Sequence, residues 1–172
     1  QLLMFRGSNT VRDLIHDVDV RTADFHGIRM HKGLLDMYDT ISDQSSWNTF
    51  GTPQEFEFVG GYSCGGVLAI LCAIDRAIDE RPIPHVITVA TPPFVHPDSL
   101  DRVQDLLQNT RVTRVFNHRD IITKVPPYFS HPIADQHISI KPSQNGGWVK
   151  QHMTETYNDS LEKGEFVHDL CE

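Results

Sequence analysis

A chain of 172 residues with 39% hydrophobic and 22% charged residues has the size and composition of one globular domain with a single core, and residues 1–172 are read as such. Its net charge of −8 leaves nothing to neutralise phosphates, which excludes nucleic acid as a partner, and it disfavours steady electrostatic docking on anionic membranes. Transient contact with a lipid interface through apolar groups stays open. No run reaches the length of a transmembrane segment, and the first residues carry no basic-then-apolar signal; secretion and a cytoplasmic location both remain open. The three cysteines, Cys64, Cys72 and Cys171, are too few for a disulfide framework.

Leu2 to Phe5 predict a buried strand that stops at Arg6-Gly7-Ser8-Asn9. Val11, Leu14, Ile15 and Val18 then fall on one face of a helical pattern, opposite Arg12, Asp13, His16 and Asp17. Residues 19–33 read as loop and short strand, and Leu34 to Ile41 as a helix. A polar stretch leads to the apolar run Phe56, Phe58, Val59, a strand, and Val67 to Ile78 has the length of a packed helix. Arg81-Pro82-Ile83-Pro84 breaks the chain before the β-branched strand His85 to Ala90. A helix starting at Asp98 or Ser99 runs through Leu107, followed by a strand over Val112 to Phe116 and a loop over Asn117 to Pro127. His137 to Ile140 reads as the last strand, Lys141 to Gly147 as turn, and Val149 to Leu161 as one final helix. Strands alternating with helices predict a three-layer α/β domain around a mostly parallel sheet.

Between the Phe56–Val59 strand and the long helix lies Gly61-Tyr62-Ser63-Cys64-Gly65. A serine with a glycine two residues to either side, at a strand-to-helix junction, is the pattern of a nucleophile elbow. The reason is steric: a strained turn lifts the serine hydroxyl above the sheet edge, and side chains at the flanking positions would collide with strand or helix. The helix N-terminus adds free N–H groups and partial positive charge beside the serine, which favour a developing oxyanion. In a parallel sheet reactive groups collect at the carboxyl ends of strands. Ser8, Ser63 and Asp120 each follow a predicted strand in this way.

These residues resemble the class 3 lipase family of α/β-hydrolases. Phe5-Arg6-Gly7-Ser8 resembles its F-R-G-[ST] segment, and Arg12 to Val18 the R-x-W-x-x-D-L type segment that follows. His31-Lys32-Gly33-Leu34, with Asp36 and Tyr38, resembles H-x-G-F and its continuation. Asn117-His118-Arg119-Asp120-Ile121-Ile122 with Pro126-Pro127 resembles N-x-x-D-I-V…P-P, and His152 to Tyr157 resembles H-x-x-E-x-Y. The pieces keep the family order over residues 1 to about 157. Two departures stand out. Tyr62 and Cys64 replace the commoner His and Leu of the elbow, and the section that normally precedes F-R-G is absent, so either a fragment or a shortened, minimal member is expected.

The resemblance implies an α/β-hydrolase fold and hydrolysis of lipid esters by a Ser-Asp-His triad, with neither metal nor organic cofactor. Ser63 is then the nucleophile, Asp120 the acid that orients the histidine, and His152 the general base, in the chain order usual for this fold. Asp135 is the fallback acid. Among ten histidines, only His152 and His168 lie in the C-terminal region, and His168 reads as tail. His31, His131 and His137 read as structural. The oxyanion hole is expected from the backbone N–H groups of Cys64 and Ser8, with the Ser8 hydroxyl as a further donor implied by the resemblance. The stripe Val11, Leu14, Ile15 and Val18 is either a lid over the site or an ordinary core-facing helix face. Asp24, His26, His31 and Asp36 lie close in sequence but lack a recognised zinc spacing. An esterase of smaller or aromatic esters, feruloyl-type, and a non-catalytic binding scaffold are the alternatives.

Overall fold

The computed structural model describes residues 2–7, 21–42, 56–132, 134–142 and 146–170. Strand β1 (Leu2–Phe5) is followed by a hairpin of β2 (Thr22–Phe25) and β3 (Ile28–His31), paired antiparallel. Both hairpin-turn residues, His26 at φ 53° and Gly27 at φ 81°, are left-handed, which matches the twist of the flanking strands. Helix α1 (Lys32–Ser42) buries Leu34, Leu35 and Tyr38, positions that share one helical face. Strand β4 (Phe58–Tyr62) leads through Ser63 into α2 (Cys64–Ile78). Every residue of α2 from Val67 to Ile74 is buried, so all sides of the helix are covered, which marks it as the central helix of the core. Its large side chains there are Val67, Leu68, Ile70, Leu71 and Ile74. Each contributes roughly 1.5–3 kcal/mol by leaving water.

Strand β5 (His85–Val89) begins directly after Pro84. The next helix, α3 (Leu100–Leu107), starts slightly later than its sequence suggests. A 3-10 turn over Pro97–Ser99 precedes it, capped by His96, whose side chain accepts from Asp98 N–H. Strand β6 (Val112–Asn117) is followed by a 3-10 turn over Ile121–Lys124, inside the expected loop, and by β7 (Gln136–Ile140).

Two expectations fail in the C-terminal part. The single helix expected over Val149 to Leu161 is two, α4 (Trp148–Gln151) and α5 (Thr154–Glu162), interrupted at His152 and Met153. The region around His168 is no tail but strand β8 (Phe166–Leu170), antiparallel to β7 in the register Ile140↔Phe166 to Gln136↔Leu170. Strand β7 is therefore not the last.

The main sheet has the order β1-β4-β5-β6-β7-β8, parallel except for β8. Val59, Val86 and Val112 stand side by side and face the large core under α1, α2 and α3. Three residues further along the same strands, Tyr62, Val89 and Val115 face the opposite side, because side chains alternate. There they join Ile138, Ile140 and Tyr157 of α5 in a second cluster. Helices on both faces of a mostly parallel sheet make the three-layer α/β-hydrolase architecture anticipated above.

Candidate active site

The Ser63 backbone holds the strained turn that the glycine spacing anticipates, at φ 56° and ψ −126°. A non-glycine residue persists there only when its surroundings fix it. Ser63 N–H donates to the Val89 carbonyl at 2.8 Å, and α2 starts at the next residue. The flanking glycines are close approaches. A Cβ on Gly61 would lie 2.0 Å from the Gly65 carbonyl oxygen, and one on Gly65 2.2 Å from the Phe5 oxygen. On Gly7 it would meet the Tyr62 oxygen at 2.6 Å and the Ser63 Cβ at 3.1 Å, so the chain leaving β1 runs against the elbow.

Asp120 is placed by the end of β6. Asn117 Oδ1 accepts from Arg119 N–H at 2.9 Å and its carbonyl from Asp120 N–H at 3.0 Å, a turn that brings the carboxylate inward. Oδ1 of Asp120 accepts from Ile122 N–H at 3.0 Å and caps the 3-10 turn. Its Oδ2 lies 2.7 Å from His152 Nδ1 and accepts from the Tyr157 hydroxyl at 2.8 Å. Asp120 is fully buried. A buried carboxylate needs such donors, and this one has three.

His152 sits where the helix breaks. Its N–H closes the last turn of α4 on the Val149 carbonyl at 3.1 Å, and Met153 then turns extended at ψ 142° before α5 begins. The ring Nε2 lies 3.0 Å from Ser63 Oγ. Because the Asp120 carboxylate only accepts, Nδ1 carries the proton and Nε2 is the acceptor for the serine hydroxyl. Ser63 and His152 are 4% and 2% exposed, so the serine–imidazole–carboxylate chain is shielded from water along its length. The Tyr62 ring lies 5.4 Å from the His152 ring and 6.1 Å, edge-on, from that of Tyr157.

The structure thus brings Ser63, His152 and Asp120 into one hydrogen-bonded chain at the carboxyl ends of β4 and β6. Cys64 is buried as the first residue of α2, with its backbone at the positive end of the helix dipole. Ser8 and the stripe Val11, Leu14, Ile15 and Val18 lie outside the described residues. The fallback acid Asp135 is elsewhere: its Oδ2 accepts from Val112 N–H at 2.6 Å, at the opposite end of β6. His168 is on β8, with Nδ1 3.2 Å from Gln136 Nε2. His131 Nε2 donates to the Thr123 carbonyl at 2.9 Å; burial, with the Arg114 charge, pushes its pKa down to about 4. His31 Nδ1 accepts from Leu34 N–H, Lys32 pairs with Asp36, Asp24 accepts from Gly27 N–H, and His26 lies 3.7 Å from Asp75. Among the described residues no three histidine, cysteine, aspartate or glutamate side chains are grouped to hold a metal ion. No described helix is long and apolar enough to cross a membrane.

Sequence reasoning missed the residues that hold the chain together. Asn117 Nδ2 donates to both the carbonyl and Oε1 of Gln151, at 3.2 and 2.8 Å, which ties the acid's loop to the residue before His152. Tyr157 OH accepts from Asn117 N–H at 3.1 Å while donating to Asp120. Asn117 and Tyr157 stood only as letters within motifs. Their spacing from Asp120 and His152 is a signal, but one without a partner until the elements are assembled.

Residues 2–130 match the family Lipase (class 3). A lipase of Rhizomucor miehei is 28% identical over 139 residues, 73% of this chain and 37% of that protein. Among solved structures, lipase II from Rhizopus niveus superposes with a TM-score of 0.67 at 25% identity, covering 90% of this chain and 63% of its own. The Rhizomucor miehei lipase propeptide complex gives 0.66 at 27% identity, over 81% of this chain and 49% of its own. This chain therefore spans little more than a third of its Rhizomucor miehei relative's length, and under two thirds of either solved chain. With the match covering three quarters of the sequence, from β1 past the Asp120 loop, the chain belongs to the class 3 lipase family.

Proposed function

We propose that the chain is a single-domain serine carboxylic-ester hydrolase acting on lipid esters, with Ser63, His152 and Asp120 as its triad. The observation that carries this is the buried imidazole bridging Ser63 Oγ at 3.0 Å and Asp120 Oδ2 at 2.7 Å. His152 Nε2 takes the Ser63 proton as Oγ attacks the ester carbonyl. The imidazolium stays balanced by Asp120, which remains ionised. The tetrahedral oxyanion is held by the Cys64 N–H at the start of α2 and by the Ser8 N–H. His152 then gives its proton to the leaving alcohol, an acyl-Ser63 remains, and water repeats the sequence to release the acid. Each half-reaction is a nucleophilic attack at the carbonyl carbon, first by Ser63 Oγ and then by water, with His152 moving the proton and the amides holding the oxyanion.

Lipases among the relatives and solved neighbours support an acylglycerol or similar lipid ester as substrate. A chain-length series of p-nitrophenyl esters, with an emulsified acylglycerol and a feruloyl ester beside it, tests the reading. Turnover that favours the longer acyl chains and the acylglycerol is expected. Preference for the feruloyl or acetyl ester would replace lipid by small or aromatic esters. No turnover of any ester by folded protein would overturn the enzymatic reading.

A further inference from the structure

Asp120 Oδ2 takes two donors at once, the imidazole Nδ1 at 2.7 Å and the Tyr157 hydroxyl at 2.8 Å. We infer that Tyr157 is a positioning residue for the acid–base pair, its hydroxyl setting the orientation of the Asp120 carboxylate and tempering that carboxylate's hold on the imidazolium. The inference rests on reading Ser63, His152 and Asp120 as a triad. Three observations carry it. The hydroxyl is itself fixed, because Asn117 N–H donates to it at 3.1 Å and leaves its own hydrogen aimed at Asp120. The ring is fixed as well: it is 1% exposed, packed with Val115 and Ile140, and met edge-on by Tyr62. Tyr62 in turn lies against His152, so one tyrosine at the elbow touches both the base and the residue that orients the acid.

Burial, then the Asp120 charge and its hydrogen bond, hold the Tyr157 pKa far above the usual phenol range, so the hydroxyl is a permanent donor. A donor to a carboxylate spreads its negative charge and weakens its attraction for a neighbouring cation. Removing the hydroxyl strengthens the pull of Asp120 on the imidazolium, and the His152 titration moves to higher pH. The other titratable groups on the strand ends, turns and helices that flank the pair are Tyr62, Cys64, the partly buried Arg114, His118, Arg119, Lys124, Lys150, Glu155, Asp159 and Glu162. All are unchanged in a Tyr157 variant, which isolates the hydroxyl.

The test follows the pH midpoint of the His152 imidazole by NMR in wild type, Tyr157→Phe, and protein carrying 3-fluorotyrosine at position 157. Phenylalanine keeps the ring packing and removes the donor; fluorine makes the donor stronger. The expected result is an upward shift of ~0.5 to 1 pH unit in Tyr157→Phe, a three- to tenfold change in proton affinity, and a smaller downward shift with fluorotyrosine. In ester hydrolysis, kcat should fall about tenfold in Tyr157→Phe with KM held, because a donor to the acid does not touch substrate. Unmoved midpoints in both variants, or shifts of the same sign, would overturn the inference. The titration is read on folded protein without turnover. Absence of esterase activity would therefore count against the enzymatic reading and leave the positioning test intact.

Discussion

Gly65 is where fold and chemistry are hardest to separate, and Gly65→Ala tests whether the elbow is held as sterically as described. A Cβ there would lie 2.2 Å from the Phe5 oxygen, 2.8 Å from its carbonyl carbon and 2.9 Å from that of Arg6. Ordinary contact begins near 3.4 Å, so the end of β1 and α2 must separate by about 1 Å. Helix α2 cannot recede, because it is buried on all sides, and backbone rather than a flexible side chain is what the methyl meets. The displacement falls on Phe5, Arg6 and Gly7, and Gly7 is the residue that abuts Ser63. Overpacking of this kind costs about 3 kcal/mol, which for a chain of this size lowers Tm by about 6–12 °C. A misplacement of about 1 Å beside a reacting group costs on the order of a hundredfold in kcat. Thermal melts and p-nitrophenyl butyrate kinetics read the two effects. Gly60→Ala is the contrast: its Cβ would come only to 3.0 Å of Met4 Sδ and the Ile87 oxygen, away from the site. It should cost at most about 1 kcal/mol and leave kcat within about twofold. A Gly65→Ala protein with wild-type Tm and kcat would refute the steric account of the elbow.

Asp120→Asn keeps the shape of the site but removes the charge that balances the imidazolium, and should lower kcat by about 10³- to 10⁴-fold with little change in KM; steady-state kinetics check this, and a loss under tenfold would remove Asp120 from its role. Leu71→Ala deletes a side chain with no exposure in the middle of α2 and should cost about 2–5 kcal/mol in urea unfolding, without a specific effect on KM. His131 gives a pH prediction. Its folded pKa of about 4 lies below the ordinary value of 6.5, so above pH 6.5 it is neutral in both states and contributes nothing. As pH falls from 6.5 towards 4 the unfolded chain takes up the proton first, and stability declines by up to ~3 kcal/mol. His131→Gln should flatten that part of the stability–pH profile, and an unchanged slope would contradict the assignment.

How much of this was legible before the structure depends on whether the signal is local. The elbow was, because its demands are steric and concern residues within two positions of Ser63. The central helix and the parallel strands were legible from apolar runs bounded by Pro84, Pro92 and the other breakers. The break at His152 was not. Residues 148–162 contain neither glycine nor proline, so nothing local stops a helix there. What holds the interruption is tertiary: Asn117 grips Gln151 from β6, and Tyr157 is anchored on Asn117 and Asp120. Strand β8 escaped for a related reason. Phe166, Val167 and Leu170 after Gly164 do suit a strand, but an edge strand is defined by the neighbour it pairs with, here β7 across the sheet. The family motifs named Asn117 and Tyr157 without saying what they touch, and only the assembled site gives them a purpose.

The central claim is that Ser63 is a nucleophile activated by His152. The most direct measurement is labelling of the purified, folded protein with a fluorophosphonate, with the modified peptide identified by mass spectrometry. The account predicts stoichiometric label on Ser63, none in Ser63→Ala, and labelling slowed by several orders of magnitude in His152→Ala. Folded wild-type protein that takes no label, or label on another residue, would contradict it.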